Sequence, residues 1–241
     1  MKLKSWVNNL RVTVSVTLGV IISMLLSFKS SHEPILTVIS QNSFATEVFS
    51  QFSTGNSIIF NLSIGYMVSV IFWLMVVVSP KKHKRKLLRN NLLRHYLRFK
   101  TDIAHTMLDA AGDEDSYEKS FDLVDHIKFR EYFSGDNRSR WSAALGEMQN
   151  DNRYITDLLV EMEILSNEFN YVLNNIEIDD EELFEFFRRL LNYFYSLKNL
   201  SSYTDDHTKS LGNFIFETMA CWNTVEGKRD SDIIEDMINR I

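Results

Sequence analysis

The chain has 241 residues and a formal net charge of −6. With only 8 Gly and 2 Pro against 17 Phe, 9 Tyr and 4 Trp, it is neither collagen-like, nor a Pro-rich linker, nor an intrinsically disordered polypeptide. Its single cysteine, Cys221, excludes an internal disulfide and a cysteine-built zinc site. The charge is segregated: residues 1–80 carry four bases and two acids, residues 81–100 nine bases and no acid, and residues 101–241 thirteen bases against thirty acids. A basic collar ahead of an acidic body marks a boundary between environments.

Two uncharged runs precede the collar. Val12 to Phe28 spans 17 residues and follows Lys2, Lys4 and Arg11; Ile58 to Val78 spans 21. As a helix the second run is about 31 Å long, the thickness of a bilayer's hydrocarbon core. The first run is shorter and diluted by Ser and Thr, and its basic flank resembles a signal peptide. No small-residue cleavage site follows it, since the run closes on Ser27-Phe28-Lys29, so an uncleaved first span is predicted. In a two-span hairpin both basic clusters lie on one side, which the positive-inside rule makes cytoplasmic, leaving both termini inside. The connecting segment, about 29–57, is then external. Within it Phe44, Val48 and Phe52 either form an amphipathic segment on the outer interface or stand in a plain loop.

Beyond the membrane the reading is all-α. Ser79-Pro80 suits a new helix start, continuing through the collar to about Ala111, where Gly112 to Glu114 stops it. Shorter helices are predicted at 116–133 and 139–149, separated by the turn Ser134 to Asn137. Then Ile155, Leu158, Met162, Leu165, Phe169, Val172 and Ile176 alternate three and four apart, a coiled-coil-like seam. After a turn at Glu177 to Asp180 the spacing recurs at Leu183, Phe187, Leu190, Phe194 and Leu197, which predicts an antiparallel helical hairpin. A helix at about 205–225, burying Leu211, Phe214, Ile215 and Trp222, and a short one from 230 complete the chain. No sheet is expected. The domains are thus a membrane hairpin (1–80), a basic juxtamembrane helix (81–111) and an acidic helical domain (112–241).

The residues that carry chemistry in known enzymes do not assemble into a motif. His32, His83, His95, His105, His126 and His207 never stand at metal-ligand helical spacing, and no glycines cluster into a phosphate-cradling loop. Glu161, Glu163, Glu168, Glu181 and Glu185 read as solvated helix acids rather than general acid/base groups, and Cys221 sits on an apolar face as a buried thiol. No enzymatic activity, catalytic residue, metal or cofactor is expected.

Three features remain. On the first span Thr13, Thr17, Val20, Met24 and Ser27 share one face; on the second Asn61, Gly65 and Ser69 line up four apart. Such faces either pack helices together or line a pore between several hairpins. The collar, Lys81, Lys82, Lys84, Arg85, Lys86, Arg89, Arg94, Arg98 and Lys100, is accounted for in its first six members by topology and anionic headgroups. Arg94, Arg98 and Lys100, beside Tyr96 and Phe99, either pair with the acidic body or hold a nucleotide or short single strand. Finally, the seam residues Leu158, Met162, Leu165, Phe169, Phe187 and Phe194 form either a core or an oligomer interface. The acidic body makes duplex DNA an unsuitable partner.

In architecture the hairpin of Val12 to Phe28 and Ile58 to Val78, the stretch Ser79 to Lys100 and the paired helices 153–199 resemble the small membrane-pore effectors of bacterial anti-phage defence, nearest in kind the channel component of Hailong-type systems. The resemblance implies an oligomeric channel in the bacterial inner membrane, regulated by a nucleotide-type ligand. The resulting expectation is a homo-oligomeric two-span protein whose cytoplasmic helical domain gates or assembles a pore. The alternative is a membrane-tethered adaptor that recruits a soluble protein partner and conducts nothing.

Overall fold

The computed structural model describes residues 2–31, 52, 54–133, 138–199, 207–223 and 227–241. Among these the chain is all-α apart from one two-residue strand pair, and it divides into units of residues 1–84 and 85–241.

The first unit is built from α1 (Lys2–Ser30) and α2 (Asn56–Trp73), which pack against each other. Arg11–Ser30 and the helix beginning at Asn56 are each long and apolar enough to cross a membrane. Only 11% and 6% of their apolar windows are buried, whereas the core helix of a soluble protein hides most of such a window. Their packing face is made of small residues: Ser23, Ser27 and Ser30 of α1 and Ser63 of α2 are buried. Gly19 permits the close approach, because a Cβ there would stand 2.2 Å from the Tyr66 hydroxyl oxygen. Around this seam the outer faces present large apolar side chains such as Leu18, Ile22, Phe28, Leu62, Ile71 and Phe72. Phe44 and Val48 of the connecting segment lie outside the described residues; Phe52 is half-buried, with the Lys29 ammonium 5.0 Å from its ring centre.

The predicted fresh helix start at Ser79 is corrected. The helix passes from α2 through a π-helical turn (Leu74–Val78) directly into α3 (Ser79–Ala110), and the Ser79 N–H donates to the Leu74 carbonyl five residues back. Proline within a helix lacks the N–H and crowds the carbonyl four residues earlier. The wider turn immediately before Pro80 accommodates it without a break. The helix stops where expected: Gly112, at φ +78°, lets the Gly112 N–H reach the Asp109 carbonyl (2.9 Å) and the Asp113 N–H the Leu108 carbonyl (3.0 Å).

In the second unit α3 is packed through the core along Leu92, Tyr96, Phe99, Ile103 and Met107, all essentially fully buried. The predicted 116–133 helix is two, α4 (Ser116–Asp122) and α5 (His126–Phe133), because the Asp125 carboxylate accepts the Ile127 and Lys128 N–H groups and so starts a second helix. The turn at 134–137 lies outside the described residues, and α6 (Arg138–Asn150) follows. The predicted hairpin is α7 (Asn152–Asn175) and α8 (Glu181–Asn199), capped by Asp151 and Asp180. Leu158, Met162, Leu165, Phe169, Phe187 and Phe194 are all buried core, with Phe169 and Phe187 at 5.1 Å between ring centres. The last long helix, α9 (His207–Met219), is shorter than expected. Cys221 takes a positive φ of 46°, turning the chain into a two-residue strand, Trp222–Asn223, paired with Gly227–Lys228. Trp222, expected in the core, is half-buried as a result. α10 (Ile233–Asn239) closes the described chain.

The loop after α3 is stapled by Asp113, whose carboxylate accepts the Lys119 ammonium at 2.7 Å and the Tyr132 hydroxyl. Those bonds, Lys119 first, hold the Asp113 carboxyl at about 2. A depressed folded value contributes stability above the unfolded value of about 4 and loses it as pH falls towards 2. Asp113→Asn is expected to lower the melting temperature at pH 7 and to flatten its decline below pH 4. Parallel pH-dependent melts of both proteins would show an unchanged acid limb if the staple were inert.

Candidate functional site

The structure sorts the span residues into two groups. Val20 and Ser27 lie at the seam, Val20 half-buried and Ser27 buried, whereas Thr13, Thr17 and Met24 are exposed on α1. Asn61, Gly65 and Ser69 are exposed as well, on the side of α2 turned away from Ser63. The hydroxyls satisfy themselves along their own helices: Thr17 donates to the Thr13 carbonyl (2.9 Å), Ser27 to Met24 (2.9 Å) and Ser69 to Gly65 (2.8 Å). Asn61 differs. Its amide has no hydrogen-bond partner among the described residues and stands within the apolar stretch of α2.

The collar divides too. Arg85 donates to the Glu177 carbonyl at the α7–α8 turn, and Arg89 lies against Asn90. Lys81, Lys82, Lys84 and Lys86 are exposed. Arg94 is exposed with no partner among the described residues, while Arg98 pairs along α3 with Asp102 at 3.3 Å. Lys100 does not join them: it is 3% exposed, and its ammonium meets the Asp232 carboxylate at 3.1 Å. Arg94, Arg98 and Lys100 therefore do not line one pocket. Tyr96 and Phe99 are core residues, not stacking surfaces for a base. The physical reason is periodicity. Positions 92, 96, 99, 100, 103 and 107 fall on one helical face, and that face is the buried one.

The most constrained polar group of the second unit is the buried triad of Tyr96, Lys100 and Asp232. The Tyr96 hydroxyl donates to both Asp232 carboxylate oxygens, at 3.0 and 2.7 Å, and the Lys100 ammonium sits 5.8 Å from the Tyr96 ring centre. Asp232 also caps α10, accepting the Ile234 and Glu235 N–H groups at 3.0 and 3.2 Å. Burial first, and then the Asp232 charge, pushes the Tyr96 hydroxyl well above its ordinary value, so it stays protonated and donates. One carboxylate thus takes donors from α3 and from the start of α10, fastening the C-terminal helix to the helix that follows the second apolar run. Asp232 was missed from the sequence. Its signals are an aspartate three residues before Glu235 and just ahead of Ile233-Ile234, an N-terminal capping pattern, together with the placing of Lys100 on an apolar face.

A second tie runs from Arg240, which pairs with Asp180 and, at 3.1 Å, with Glu182, so the end of α10 also grips the start of α8. Of the acids named from the sequence, Glu163 pairs with Lys198 at 2.8 Å and Glu168 meets Asn91 at 3.3 Å and His95 at 3.8 Å, while Glu181 and Glu185 are exposed. Glu161 is half-buried, and burial followed by the Asp102 charge raises its proton affinity. Cys221 is buried, and burial pushes its thiol up to about 11. Among the described residues no three His, Cys, Asp or Glu side chains come together as a metal site. In comparisons with known proteins the chain matches no family model, no curated protein and no solved structure.

Proposed function

We propose that the protein is a two-span protein of the bacterial inner membrane with both termini cytoplasmic, that several copies associate through their second spans, and that the helical unit controls the pore so formed. The observation that carries this reading is the placement of Asn61. Its amide lies outside the hairpin's own seam, in line with Gly65 and Ser69 and within the apolar stretch of α2. In hydrocarbon an amide without a partner costs about 2 kcal/mol or more, and a second copy or a water-filled axis supplies the missing bonds. The exposed apolar faces of both helices support the membrane setting, because a soluble monomer rarely shows so continuous a patch. The resemblance to membrane-pore effectors points the same way, and the exposed lysines of the collar suit an anionic inner leaflet. The reading assigns no reaction to the chain.

Asn61→Leu is expected to weaken assembly by about 0.6 kcal/mol or more for each subunit contact, and to reduce ion or dye flux from liposomes reconstituted with the full chain. Chemical crosslinking in native membranes and flux recording on the same variant check it. A wild type that is monomeric in mild detergent and in membranes overturns the reading. Unchanged flux in Asn61→Leu removes Asn61 from the pore, and an oligomer that conducts nothing under any condition leaves the tethered adaptor.

A further inference from the structure

We propose that the cleft between α8, α9 and α10 binds a zwitterionic small molecule with an aromatic or aliphatic body, of the amino-acid class. The cleft holds about 470 Å³, within the range of small-molecule sites, and its walls are aromatic: Phe186 and Tyr193 from α8, Phe214 from α9, and Trp222 just beyond it. Charges of both signs line it, Arg189 and Arg229 against Glu182, Glu217 and Asp232, and two of them, Arg189 and Glu217, form no ion pair with any described residue. Arg189 stands exposed at the mouth, where its Nε makes one long bond of 3.4 Å to the Glu185 carbonyl and its terminal nitrogens bond no described residue. Glu217 is half-buried near Tyr193 and forms no ion pair with any described residue.

The Glu217 carboxylate is free to take an ammonium group, and an arginine fork at the rim is a ready site for a carboxylate. A molecule bearing ammonium and carboxylate on an apolar body answers both charges and fills the aromatic walls. Other classes fit less well. A polyphosphate finds Arg189 and Arg229 but meets the three carboxylates of Glu182, Glu217 and Asp232 on the same walls, and a neutral hydrocarbon leaves Arg189 and Glu217 unanswered. Asp232 belongs to this cleft as well as to the buried triad, so an occupant touches the residue that fastens α10 to α3. The binding claim stands whether or not the chain conducts ions.

Calorimetric titration of the full-length protein in detergent tests it, with L-phenylalanine, L-leucine and L-tryptophan as probes. Phenethylamine and 3-phenylpropionate serve as analogues of L-phenylalanine, each lacking one charged group. At least one amino acid is expected to saturate at micromolar to millimolar concentration, and the two analogues to bind about tenfold or more weakly, since each leaves one charge unanswered. Arg189→Gln should abolish the preference for L-phenylalanine over phenethylamine, and Glu217→Gln that over 3-phenylpropionate. Arg189→Lys and Glu217→Asp, which keep the charges, should restore most of the discrimination and separate recognition from misfolding. No saturable binding of any of the three amino acids, or both neutral variants discriminating as the wild type does, overturns the proposal.

Discussion

Asp232→Ala is expected to destabilise the helical unit by about 3–5 kcal/mol, the largest single effect of any substitution considered. Three losses fall together. The Lys100 ammonium, 3% exposed, is left as an uncompensated charge in the core. The Tyr96 hydroxyl loses both of its acceptors, and the first turn of α10 loses its cap, worth about 1 kcal/mol by itself. The asymmetry of the triad sharpens the test. Lys100→Met should cost less, because Asp232 keeps the Tyr96 hydroxyl and two backbone N–H groups, and methionine fills the space with no charge to bury. The double variant Lys100→Met/Asp232→Asn should recover much of what Asp232→Ala loses, since the amide oxygen can still accept the two backbone N–H groups and the amide NH2 can donate to the Tyr96 hydroxyl oxygen. Urea melts of the wild type, Lys100→Met, Asp232→Asn and the double variant, followed by circular dichroism, give the coupling through a double-mutant cycle, with Asp232→Ala melted beside them. Additive losses from the single variants would show that Lys100 and Asp232 do not act as a pair. Proteolysis offers a second readout: release of α10 should expose residues 227–241 to cleavage in Asp232→Ala well before the rest of the unit unfolds.

The second large effect is expected at Gly19. A Cβ there would lie 2.2 Å from the Tyr66 hydroxyl oxygen and 2.8 Å from the ring carbon that carries it, separations no real contact sustains. Gly19→Val must turn the exposed Tyr66 ring aside or part α1 from α2, and parting the helices costs about 1–3 kcal/mol, typical of an overpacked interface. The small seam residues Ser23, Ser27 and Ser63 depend on that close approach for their contacts, so the loss should spread along the hairpin. Tyr66→Ala makes room, and combined with Gly19→Val should restore much of the stability that Gly19→Val loses alone. Thermal unfolding of the detergent-solubilised protein, scored as a four-variant cycle, measures the coupling. Equal losses for Gly19→Val with and without Tyr66→Ala would mean that Tyr66 does not set the helix separation.

How much of this was legible in the sequence depends on whether a signal is local or long-range. The periodic apolar rows at 155–176 and 183–197 are local, and α7, the 177–180 turn and α8 follow them closely. The Gly112 stop and the two uncharged runs are local as well: one needs a left-handed residue, the others only length and composition. Helix boundaries failed where a neighbouring constraint could be met in more than one way. Pro80 reads equally as a helix start and as a residue carried inside a helix by a π turn. The Asp125 cap and the positive φ of Cys221 shortened helices whose apolar pattern continued past them.

The sequence by itself determined the all-α class, two helices apolar enough to cross a membrane, the segregation of charge and the seam of the α7–α8 hairpin. Each depends on the identity and spacing of residues within about twenty positions. Only the tertiary structure decided which of two plausible faces each helix buries. It put Ser27 and Ser63 in the α1–α2 seam and left Asn61 outside it. It took Lys100 out of the collar and set it against Asp232, 132 positions further along the chain. It also brought Arg189 and Glu217 to one cleft from separate helices. A local pattern states that a residue has an apolar or polar neighbourhood along its own helix, whereas the partner that balances a buried charge or fills a glycine's gap is selected by packing across the fold.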